Sequence, residues 1–164
     1  MESLVYQLIS YIKAKMPALI TVDEDYGQLE AIDSEDKDTY PVVFPAVLLN
    51  PSETEWSNLE GKSQKGKAII IVKLIIDCYD DTHSGSGTLD SIRVRADTIR
   101  ELHQLLQCYR PDGDGEMIRE KSRFYTWSHG LKVYEMHYSV SVTEKIMETV
   151  TTPKPKVTIS ARKL

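Results

Sequence analysis

The stretch DCYDDTHSGSG, from Asp77 to Gly87, gathers Asp77, Cys78, Asp80, Asp81 and His83 into seven residues. Carboxylate, thiol and imidazole at that density are the groups of metal sites and acid–base chemistry. Their spacing argues otherwise. In a strand, Asp77 and Cys78 point to opposite faces and cannot chelate one ion. Asp80, Asp81 and His83 fall where the strand gives way to a loop. The acids do not alternate and no Glu closes the run, as a calcium loop requires, and no zinc spacing is present. The reading is a strand end in which Cys78 continues the buried face, with SGSG as a flexible link into a helix.

The other candidates resolve similarly. DGDG, with Asp112 and Asp114, offers two carboxylates and reads as a hairpin turn. His83, His103, His129 and His137 are scattered. His103 sits beside an apolar helical stripe and reads as a satisfied, partly buried histidine. His129 falls in a turn and His137 on the polar face of a strand. Ser128-His129 cannot form a triad, because adjacent residues do not build that geometry. GxSxG, HExxH and phosphate-loop motifs are missing. Arg93, Arg95 and Arg100 diverge around a helix and read as a charged face. Lys62, Lys65 and Lys67, around Gly61 and Gly66, form a basic loop tip suited to an acidic partner or to nucleic acid passing nearby.

The elements that would position these groups follow from periodicity. Leu4, Val5, Leu8, Ile9, Ile12 and Met16 predict an amphipathic helix closed by Pro17. Residues 18–22 suit a short strand, and the acidic stretch after it a long solvated loop. Pro41 to Leu49 predicts a strand ended by Asn50-Pro-Ser. Trp56 to Lys67 reads as a polar connection. Residues 68–79 form the strongest strand, with one apolar face and one interrupted by Lys73 and Asp77. A second helix begins near Thr88 as N-cap and carries the stripe Leu89, Ile92, Ala96, Ile99, Leu102 and Leu106. Residues 116–127 and 131–146 predict two further strands, the last alternating cleanly. The fold class expected is α+β: a mostly antiparallel sheet of about four strands against two helices. Residues 1–150 form one domain, and 151–164 a Pro/Lys linker and C-terminal extension with a β-prone run at Val157 to Ser160.

A chain of 164 residues can bury a core without staples, and a net charge of −5 argues against broad nucleic-acid binding. Charge is uneven. Eight acids between Asp23 and Asp38 face Lys37 alone, whereas Lys154, Lys156, Arg162 and Lys163 follow residue 150 without an acid. Cys78 and Cys108 form no framework, which suits a reducing compartment, although pairing between them stays open. The first residues lack a signal-peptide pattern, and no apolar run is long enough to span a bilayer. The expectation is a soluble, non-secreted protein.

The order of segments is more telling than any motif. An amphipathic helix leads to an acidic loop, then PVVFPAVLLNP, then KLIIDCYDD, a linker, the helix LDSIRVRADTIRELHQLL and the strand KVYEMHYSVSV. This layout resembles the tail terminator (tail completion) proteins of long-tailed bacteriophages and prophages, over roughly residues 1 to 146. The resemblance implies a structural role with no catalysis and no cofactor. The partners implied are copies of itself in a ring, typically of six, the tail tube protein and the head connector. Nucleic acid is met only by passage through a lumen, and no membrane is involved. The location implied is the host cytoplasm during assembly and then the virion tail. Candidate contact residues are Asp33, Glu35 and Asp36, then Trp56, Lys62, Lys65 and Lys67, and finally Lys154, Lys156, Arg162 and Lys163. The acidic stretch and the basic tail could be complementary between neighbouring subunits, and the terminal run could pair with a neighbour's sheet edge. The alternatives are another neck or baseplate component, or a small ligand-binding module or enzyme with a carboxylate site assembled by the fold.

Overall fold

The computed structural model describes residues 2–33, 42–59, 62–111 and 115–145. Helix α1 spans Glu2–Lys15 and buries Leu4, Val5, Leu8 and Ile12. Pro17 ends it, the last helical bond being Met16 N–H to the Ile12 carbonyl at 2.8 Å. Lys13 folds over the end, its ammonium donating to the Leu19 and Ile20 carbonyls. Strand β1, Thr21–Glu24, and the short helix α2, Gln28–Ala31, follow. Then come β2, Ala46–Leu59, and β3, Ser63–Ile76. Helix α3 covers Asp90–Leu106, β4 Ile118–Thr126 and β5 Lys132–Lys145.

The strands form one sheet in the order β1-β2-β3-β5-β4. Its pairs are antiparallel except β1 with β2, whose parallel register needs the crossover that α2 occupies. The class is α+β as expected, but among the described residues there are five strands and three helices rather than four and two. Helices α1 and α3 pack on one face, over Val47 and Leu49 of β2, Ile70, Val72 and Leu74 of β3, and Met136, Tyr138 and Val140 of β5. At roughly 1.5–3 kcal/mol per buried large aliphatic side chain, this layer is the main source of stability. A smaller cluster on the other face joins Leu29 of α2 to Leu48, Ile75, Leu131 and Val133.

Three expectations about element bounds are corrected. The strand read as Pro41–Leu49 does not stop at Asn50-Pro51-Ser52. Its partner register slips between Pro51 and Glu53, and β2 continues to Leu59. Pro51 lies just beyond Leu49, the last residue paired with β1, where a bulge tolerates a missing N–H. The supposed polar connection 56–67 is the two limbs of a hairpin, with Leu59 opposite Ser63. Both faces there meet solvent, so the apolar alternation that marks a half-buried strand is lacking. Strand β3 likewise starts at Ser63 and ends at Ile76, leaving Asp77 and Cys78 beyond it. Gly130, at φ 73°, turns the chain into β5. A Cβ there would lie 2.7 Å from the Cys78 carbonyl oxygen, so glycine permits this approach.

Candidate interaction surfaces

The Asp77–Gly87 stretch closes on itself. Asp81 carries the His83 imidazole at 3.3 Å, His83 Nδ1 accepts from Gly85 N–H at 2.9 Å, and Asp80 accepts from Ser91 Oγ at 2.9 Å. Thr88 is not the N-cap that its position suggested. Its hydroxyl donates to the Asp81 carbonyl, and Leu89 occupies the cap without a side-chain bond. Cys78 is half-buried rather than core, because the strand has ended; its Sγ accepts from Arg95 Nη1 at 3.2 Å. Cys78 and Cys108 are both free thiols. Among the described residues, no three His, Cys, Asp or Glu side chains are grouped to hold a metal ion. Of the DGDG turn, only Gly115 is described.

The contact candidates separate in space. Asp33 is occupied within the chain, accepting from Ser128 Oγ at 2.6 Å and meeting His129 Nε2 at 3.0 Å. It ties the end of α2 to the turn before β5. Trp56 and the lysines lie on opposite faces of the hairpin. Trp56 packs over Gly66, where a Cβ would meet its ring at 3.0 Å. Lys65 and Lys67 point the other way; Lys67 pairs with Glu120 of β4 at 2.7 Å, which raises the lysine pKa and lowers that of Glu120. Lys62, exposed at φ 59°, forms the turn. Glu35, Asp36, Lys154, Lys156, Arg162 and Lys163, and the run at Val157, lie outside the described residues.

A charged network on the second face of the sheet escaped sequence reasoning. Lys73 and Glu135 are cross-strand partners. Lys73 Nζ lies 2.7 Å from Asp25 and 3.7 Å from Glu30. Burial opposes its charge, but the Asp25 hydrogen bond and both carboxylates outweigh that, and the pKa is raised. Glu135 is buried and takes Arg123 at 2.9 Å and His137 at 2.7 Å. Burial would raise its pKa, yet these two partners hold it below the usual carboxylate range. Each buried carboxylate thus has its cation, and the network fastens the β1–α2 crossover and β4 onto the central strands. Two signals were visible: Lys73 interrupting an apolar face, and Glu135 and His137 two apart on one face of β5.

Two surfaces stay open. Strand β1 pairs with β2 only over Ala46–Leu49, and β4 with β5 only as far as Ser139. The hairpin and the end of β5 therefore project as a three-stranded arm of roughly 25 Å. Among the described residues no strand flanks β2 beyond Leu49 or β5 beyond Ser139, although Gly115 N–H still bonds the Ser141 carbonyl at 2.7 Å. The apolar stripe of α3 is also only half covered. Leu102 and Leu106 are buried, whereas Leu89 and Ile92 are exposed. No described helix is long and apolar enough to cross a membrane.

No protein-family model and no curated protein matches the chain. A chain of a solved structure titled "Virion of native gene transfer agent (GTA) particle" is similar over 88% of this chain and 95% of its own length. The identity is 8% and the TM-score 0.48, a level at which likeness carries no argument about function.

Proposed function

We propose that this protein is a structural subunit of a phage-type particle, closing with copies of itself into a ring that caps a tail tube. The observation that carries the reading is the three-stranded arm, in which no described strand flanks β2 beyond Leu49 or β5 beyond Ser141. Unpaired backbone donors and acceptors on an edge are templates for another strand. Two different edges on one subunit make a head-to-tail contact, which closes into a ring when the rotation per subunit allows. Charges on the arm, Glu53, Glu55, Lys65 and Lys67, favour defined pairing over indiscriminate stacking. The element order, similar to that of tail terminators, supplies the particle context.

In this role the ring stops tube polymerisation, and its free surface docks to the head connector. The work is assembly, with no reaction and no cofactor, carried out in the host cytoplasm before the subunit becomes part of the virion tail. Electron microscopy of the purified protein mixed with tail tubes is the test. Rings with a central lumen, attached at one end of each tube, are expected. Particles without a lumen, or binding along the tube wall, would count against the reading.

A further inference from the structure

A groove of about 490 Å³ lies between the end of α1 and the first half of α3. Met16, Leu19, Pro45, Ile76 and Val94 make its walls mainly apolar. Val94 is 65% exposed at the rim. Arg95 reaches in from α3 and gives Nη1 to Cys78, but its Nε is buried and has no hydrogen-bond partner among the described residues. A buried N–H left without an acceptor has lost its water without replacing it, and an occupant bringing an acceptor removes that cost. An extended peptide has the required form, with apolar side chains at alternate positions and carbonyl oxygens between them.

We propose that the groove seats residues 157–164 of a second copy of this chain. Val157 and Ile159 alternate with Thr158 and Ser160, which matches an apolar trough. Charge is complementary. The segment 151–164 carries Lys154, Lys156, Arg162 and Lys163 without an acid. The loop that continues from Ile76 carries Asp77, Asp80 and Asp81 without Lys or Arg, and the groove itself holds Glu101 beside Arg95. The three loop carboxylates are exposed, on the chain that leaves the groove wall at Ile76.

Reach favours the neighbour's groove. Lys145 pairs with Ser63 at the tip of the arm, whereas Ile76 pairs with Lys132 at the far end of the same strands. Thirteen strand steps, roughly 44 Å, separate the two ends. Val157 lies twelve residues past Lys145, which spans at most roughly 43 Å when drawn out straight. A path that must also round the sheet to reach the helices holds Val157 at the limit of its reach, which favours the groove of a neighbouring copy. This contact, from arm tip to neighbouring base, rests on the ring reading and extends it with a second head-to-tail joint.

The test uses the full chain with the photoreactive residue p-benzoylphenylalanine in place of Val94, assembled from equal amounts of unlabelled and ¹⁵N-labelled protein. Cross-links from position 94 to residues 157–164, with light–heavy pairs among them, are expected. A second variant, Thr98→Arg, narrows the groove and repels the basic segment while leaving the core intact; it should reduce those links about tenfold. Links to this segment only within one isotope, or links to other segments alone, would overturn the proposal. The native mass of the same sample separates the two readings. A closed oligomer without the link overturns the docking and leaves the ring, and a monomer without it overturns both.

Discussion

The Tyr138 hydroxyl stands 2.9 Å from His103 Nδ1, joining the middle of β5 to α3 through the core. Burial, and then the charge of Arg119, lower the pKa of His103. Burial pushes the Tyr138 phenol up to about 12. Both groups are thus held neutral, and the two shifts act on stability at opposite ends of the pH scale.

For His103 the unfolded chain binds the proton more readily, so its contribution is complete above about pH 6.5 and is lost as pH falls toward the lowered folded value. For Tyr138 the folded chain holds the proton more tightly. Its contribution is complete below about pH 10 and is lost as pH rises toward 12, by on the order of 2 kcal/mol. Tyr138→Phe should cost about 1 kcal/mol at neutral pH and flatten the alkaline fall. Denaturant melts at several pH values check both. An unchanged alkaline slope in Tyr138→Phe would contradict the assignment.

Asp25→Asn should destabilise the fold by about 2 kcal/mol, because it leaves the Lys73 ammonium buried with only the longer contact to Glu30. The double variant Asp25→Leu, Lys73→Met should cost clearly less than the two single changes added together, since neither charge is then stranded. Chemical denaturation of the four proteins forms the cycle. Strict additivity would show that the pair is not energetically coupled.

Glu135→Gln should cost about 1–3 kcal/mol by taking the charge from a buried acceptor of Arg123 and His137. The folded carboxyl is held below its usual value. Its contribution is therefore complete above about pH 4.5 and is lost as pH falls toward the lowered folded value. The variant should lose less stability than the parent between pH 4.5 and 3. This window lies below the onset of the His103 effect, so urea melts across pH 3–7 separate the two.

Gly66→Ala would place a Cβ 2.7 Å from Thr54 Cγ2 and 3.0 Å from the Trp56 ring. The indole must move outward, at a cost of about 1 kcal/mol. Fluorescence in a Trp127→Phe background reads Trp56 alone, and its emission should shift to longer wavelength. An unshifted spectrum would mean that the ring does not lie over Gly66.

The elements legible in the sequence are those whose burial leaves a period. Leu4, Leu8 and Ile12 mark α1, which has one dry face and one wet one, and Tyr134 to Val142 mark β5, where apolar side chains alternate with polar ones. The arm was invisible for the converse reason. Glu53 to Leu59 and Ser63 to Lys67, apart from Gly66 under Trp56, meet water on both faces, so strand hydrogen bonding leaves no apolar alternation, and Pro51 mimics a stop where the sheet has a bulge. Helix α3 was read with its whole stripe inward, but Leu89, Ile92 and Ala96 are exposed, and Arg95 and Thr98 are less so. The contact candidates, Trp56 apart, were chosen by charge. Charge does not reveal that Asp33 is taken by Ser128 and His129, or that Trp56 and Lys67 face opposite ways.

The most direct measurement is the native mass of the full chain, by light scattering on a size-exclusion column over a wide concentration range. One closed species is expected, a fixed multiple of the 18.7 kDa chain, with six copies the number typical of tail-terminator rings. That mass should stay constant once the ring has formed. A single-chain mass at every concentration, or an open series that grows with concentration and never closes, would contradict it.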